Sequence, residues 1–92
     1  MGNIRLALPA GGSVLVYPKE DHSPATFTIL NLVVADIDEA VDELAASGIE
    51  FLTYEGLPAD AKGILRGRAA NRGPDIAWFE DPASNVLSVM QL

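Results

Sequence analysis

Only one stretch of this 92-residue chain carries helical periodicity, and it follows directly on the longest β-type run. Residues 26–34 are rich in β-branched and aromatic side chains, with apolar groups on both faces, which predicts a central strand. Asp36 then stands where a helix is capped, and Glu39 occupies the matching capping-box position. Ile37, Ala40, Val41 and Leu44 recur on one face, and Gly48 supplies the left-handed stop. A helix of about twelve residues is ~18 Å long and ~10 Å across, so it covers roughly half of one sheet face. The strands nevertheless offer apolar side chains to both faces, so the remainder must be covered by something else.

Strands flank this unit on both sides. Residues 3–8 place Ile4, Leu6 and Leu8 on one face, 9–12 break the run with Pro9 and two glycines, and 14–17 resume it, which reads as a hairpin. Residues 49–55 predict a strand, 56–74 a loop with a short strand in 63–66, and 75–80 with 86–92 a closing hairpin around 81–85. The expectation is an α+β fold in one domain over 1–92: a ββ hairpin (1–18) followed by a βαβββ module (25–92). The sheet is expected to be mixed and curved, with one main helix. About six strands at ~4.8 Å spacing make it ~29 Å wide.

Composition narrows the partners. Apolar residues make up 49% of the chain and mean hydropathy is +0.21, more than so small a globule can hide. A homodimer is the simplest cover. Thirteen acidic residues against six basic ones give a net charge of −7, which disfavours nucleic acid and anionic membranes and attracts cationic small molecules. Cysteine is absent, which removes disulfides, thiolate nucleophiles and zinc–thiolate sites. No run suits a signal peptide or the ~20 apolar residues of a membrane span, so a cytoplasmic location is expected.

Two segments carry a family resemblance. The first is Phe27-Thr28-Ile29-Leu30-Asn31-Leu32-Val33-Val34-Ala35-Asp36-Ile37, running through the helix to Gly48-Ile49-Glu50-Phe51. The second is Ile76-Ala77-Trp78-Phe79-Glu80-Asp81-Pro82 through Asn85-Val86-Leu87-Ser88. Together they resemble the strand, helix start and F-x-D-P-D-G-N-x-[IL]-E hairpin of the vicinal oxygen chelate superfamily (glyoxalase, bleomycin-resistance protein, dioxygenase). The resemblance covers 26–92, and the hairpin before it looks like the end of a preceding module. It implies paired modules curving around a shared cleft, which two copies of this chain could rebuild by strand exchange or edge pairing.

The same resemblance locates the family's metal ligands seven residues before the helix-start Asp and at the Glu closing the hairpin motif. Those positions are Ile29 and Ser88 here. An alkyl group has no lone pair to give, and a neutral hydroxyl is a poor ligand beside a carboxylate. No metal and no cofactor are therefore expected, and an enzyme is disfavoured. If Ile29 faces the cleft, strand alternation adds Phe27 and Asn31, and from the last strand Val86, Ser88 and Met90; Trp78 completes the ligand-binding candidates. The expected function is metal-independent binding of a small organic molecule by a homodimer, with the acidity favouring a cationic ligand. The alternatives are a divergent metal-dependent lyase or dioxygenase of the same superfamily, and a truncated half-domain without independent activity.

Three further features are weighed. His22, the only histidine, stands with Glu20 and Asp21 in a segment that reads as solvated loop rather than as a metal cluster or general base. Residues 63–73 combine glycines with Arg66, Arg68 and Arg72, next to Lys62, and read as a solvated loop, an anion cradle or a lid. Ala83-Ser84 stands where the family has Asp-Gly, so either the turn is of another type or a left-handed Ser84 carries about 1 kcal/mol of strain.

Overall fold

A computed structural model describes residues 3–8 and 11–92. The chain forms β1 (Ile4–Ala7), β2 (Ser13–Val16), β3 (Thr28–Val33), α1 (Ile37–Ala46), β4 (Phe51–Leu52), β5 (Leu65–Arg66), β6 (Asp75–Glu80) and β7 (Val86–Gln91). This is the expected hairpin followed by a mixed five-stranded sheet with one helix. The strand order is β3-β7-β6-β4, and β5 pairs with β6 beyond β4. β3 runs parallel to β7, while β6 is antiparallel to its neighbours β4, β5 and β7.

Helix α1 starts as its sequence dictates. Asp36 is in extended conformation, and its carboxylate accepts the Glu39 backbone N–H. The Ile37 N–H is taken by the Gln91 side-chain carbonyl at 3.0 Å, so the far end of β7 also caps the helix. Gly48 ends it at φ +95°. Ile37 and Val41 pack with Ile64, Ala77, Phe79 and Val89, and Phe51 meets Phe79 edge to face at 5.9 Å. This core occupies one side of the sheet only.

Two expectations need correction. The hairpin does not extend the main sheet: β1 and β2 form a separate two-stranded sheet, so a single ~29 Å sheet is not built. Within the expected turn, Pro9 and Ala10 lie outside the described residues; Gly11 and Gly12 hydrogen-bond back to Leu8. The expected strand over 49–55 shrinks to Phe51–Leu52. A turn closed by Leu57 N–H on the Tyr54 carbonyl, with Gly56 at φ +84°, takes the chain off the sheet. The edge of β6 thus vacated is filled by β5, at Ile76 and Asp75.

The β6–β7 connection is organised by Asp81. Its carboxylate accepts the backbone N–H groups of Ala83 and Asn85 and the Asn85 side-chain amide, at 2.8–2.9 Å. The resulting turn holds Ser84 at φ +67°, in the left-handed region. Removing the Cβ relieves the strain but adds freedom to the unfolded chain. S84G is expected to stabilise the protein by a few tenths to about 1 kcal/mol, read from urea denaturation midpoints at unchanged slope.

Candidate functional site

Alternation along β6 and β7 gives the sheet two unlike faces. Ala77 pairs with Val89 and Phe79 with Leu87 on the helix side; Ile76 pairs with Met90 and Trp78 with Ser88 on the other. β3 adds Asn31, opposite Ser88, and Val33, opposite Met90, to this second face, and β4 adds Leu52 opposite Trp78. No helix covers it. Val33 is 60% exposed, and Trp78 and Met90 are half-buried.

The sequence-derived candidates distribute as follows. Asn31, Trp78, Ser88 and Met90 share this open face, and Val86 is buried at its end opposite Thr28. Phe27 precedes β3 and is 69% exposed. Ile29 is also exposed, but the β3–β7 register slips between Thr28 and Leu30, so simple alternation back from Asn31 does not fix its side. The two polar candidates on this face, Asn31 and Ser88, occupy each other: the Ser88 hydroxyl donates to the Asn31 side-chain carbonyl, and Ser88 is fully buried. That leaves the Asn31 amide as the outward-facing group of the pair.

Trp78 meets Tyr54 edge to face, with ring centres 5.4 Å apart. Tyr54 lines a hollow of about 410 Å³ with Leu52 and Val86, and Trp78 lines a larger one of about 620 Å³ with Leu57, Pro58, Leu65 and Ile76. The aromatic pair therefore divides two depressions on one face. The larger is of a size and character that holds a small organic molecule.

The 56–74 segment, read from sequence as solvated, is tied down at its centre. Ile64 is fully buried in the core, and Gly63, at φ +86°, passes so close to Phe51 that a Cβ there would lie 2.9 Å from the phenylalanine Cβ. Asp60 accepts the backbone N–H groups of Lys62 and Ile64 and the Arg66 Nε–H, each at 2.9 Å. Arg66 also forks onto both oxygens of Asp38 on the helix, at 2.9 and 2.7 Å, while Lys62 bridges Asp38 and Asp42. Lys62 and Arg66 are thus occupied in holding loop to helix and are not free to cradle an anion. Sequence reading missed this clamp; its signals were Asp60 three residues before a glycine and the carboxylates on the helix's outer face.

The clamp shifts its own titrations. The hydrogen bonds from Arg66 and Lys62 hold the Asp38 carboxyl far below the usual carboxylate range. For Asp60, partial burial pushes upward but is outweighed by the Ile64 N–H, the Arg66 guanidinium and the Lys62 N–H, so the net shift is downward. His22, Glu20 and Asp21 are exposed, and no group of three or more His, Asp or Glu suited to a metal ion occurs among the described residues. Comparison of the chain with protein-family models, curated proteins and solved structures returned no match.

A carboxyl whose pKa is lowered on folding contributes stability that is complete above its unfolded value and is lost as pH falls through the folded one. Melting temperature should therefore be flat from pH 7 to about 5 and fall below about pH 4. D60N should cost about 1–3 kcal/mol at pH 7 through its lost acceptor and should flatten that acid limb, as measured by thermal melts across the series.

Proposed function

We propose that the chain is a vicinal oxygen chelate-type protein that binds a small organic molecule without a metal, in a cleft completed by a second copy. The observation that carries this reading is the bare second face of the main sheet. It presents Val33, Ile76, Trp78 and Met90, and Ile76 and Trp78 line a cavity of about 620 Å³, with α1 on the opposite side of the sheet. The β-α-β-β-β order of the main sheet, with its short added β5, agrees with the module that the sequence resembles.

The absence of metal rests on the donor chemistry. Ile29 has nothing to donate, and the Ser88 hydroxyl is committed to Asn31. Dimerisation rests on unfinished surfaces. β3 is an edge strand whose outer side has no partner strand among the described residues; Phe27, just before it, and Ile29, within it, are exposed. Such an edge invites pairing. The hairpin likewise leaves Ile4, Leu15, Val16 and Tyr17 exposed. A two-stranded sheet is only marginally stable by itself. Edge pairing through β3, with the hairpin of one copy laid against the other, satisfies both surfaces at once.

Light scattering on a size-exclusion column should give about twice the 9.7 kDa chain mass over a range of concentrations. I29K, a charge on the β3 edge, should return it to monomer. A cooperatively melting wild-type monomer would sink the shared cleft. Protein purified without chelators should contain well under one equivalent of Zn, Fe, Mn or Ni; a stoichiometric metal would overturn the metal-free reading.

A further inference from the structure

The larger cavity has a charge preference opposite to that of the molecule as a whole. Two arginines line it, and they differ in their engagements. Arg66 has its guanidinium on Asp38 and Asp60, and its charge is spent there. Arg72 is exposed and makes no ion pair among the described residues. The nearby carboxylate of Asp75 is buried and accepts the Arg68 backbone N–H, with the Arg68 and Arg66 guanidinium groups within 4.0 Å. The local acid is therefore already neutralised.

The backbone fixes where Arg72 stands. Its N–H donates to the Gly67 carbonyl at 2.8 Å, and the Asn71 N–H to the Arg68 carbonyl at 3.1 Å, closing a tight loop. Asn71 lies at φ +53° and Gly73 at φ +114°. Gly67 is pressed against the returning strand: a Cβ on it would come within 2.4 Å of the Pro74 carbonyl oxygen. The loop can close this way only because position 67 has no side chain. Arg72 is consequently anchored at the rim of a cavity whose other walls are Trp78, Ile76, Leu65 and Pro58.

We propose that this cavity takes a small organic monoanion: an aromatic or other apolar body against Trp78 and Ile76, with one carboxylate on the Arg72 guanidinium. The proposal rests on the reading of the open sheet face as a ligand-binding face and specifies its ligand class. The planar guanidinium matches a carboxylate with two parallel hydrogen bonds. The net charge of −7 does not reverse the preference, because exposed charges beyond about 8 Å are largely screened at physiological salt.

Benzoate, benzamide and benzamidine are close in shape and carry negative, zero and positive charge. Trp78 is the only tryptophan, so its indole N–H gives a single NMR cross-peak at the cavity wall. Titrations of the full chain should move this peak, with benzoate binding about tenfold more tightly than benzamide and benzamidine weakest. R72Q should bring benzoate down to the benzamide level and leave benzamide unchanged, whereas R5Q, on the hairpin, should alter neither. Equal affinity for benzoate and benzamide, a preference for benzamidine, or a benzoate preference that survives R72Q would each overturn the anion proposal while leaving the cavity as a binding site. If none of the three probes moves the peak, the open-face reading falls with it.

Discussion

The structure depends on the parallel pairing of β3 with β7, strands more than fifty residues apart in sequence. β6 and β7 are neighbours in sequence and pair locally, whereas β3 has to be brought to β7 from the other end of the module. Once the β3–β7 pairing forms, β7 sits between β3 and β6, and the helix leaving β3 is carried back over one face. Two bonds at the end of the pair make the return compulsory. Val34 donates its N–H to the Met90 carbonyl, and Ile37 donates to the Gln91 side chain, so the strand end and the helix start share one anchor. Long-range pairing is entropically demanding to close, and here the apolar contacts of Ile37, Val41, Ala77 and Val89 reward it immediately.

Placing the helix on one face decides the character of the other. Among the described residues no helix covers the side chains that alternate away from the core; the 54–58 stretch lies beside Trp78, and Val33 stays exposed. The clamp formed by Asp38, Asp60, Lys62 and Arg66 has a related consequence. It pins the middle of the 56–74 segment against the helix and lets its second half close into the tight loop that carries Arg72. One basic cluster is thereby divided by function: Lys62 and Arg66 maintain structure, and Arg72 is left at the cavity rim.

Several features were legible before the fold was known, each for a local reason. The Asp36 cap and the Gly48 stop follow from short-range backbone chemistry that neighbouring residues specify, whereas the choice between a different turn type and a left-handed Ser84 was decided by the structure. The grouping of Asn31 with Ser88 and Met90 comes from period-two alternation around the family's ligand positions, and Trp78 joins it as an aromatic candidate. Ile29 escaped that rule because a bulge breaks the alternation, and a bulge depends on the partner strand. The core role of Ile64 was hidden for a similar reason: it lies among glycines and charges with no periodicity, and only the clamp carries it inward.

The sequence by itself determined the order of elements, the helix boundaries and the chemical unsuitability of Ile29 and Ser88 as metal ligands. These are properties of single residues or of neighbours within one turn. Tertiary structure decided that the hairpin forms its own sheet, that β4 is cut short to admit β5, that Ser88 and Asn31 satisfy each other, and that Arg66 is paired while Arg72 makes no ion pair among the described residues. Each of those outcomes is a competition between distant groups for one hydrogen-bonding edge or one counter-charge, and such competitions are settled only when the whole chain is in place.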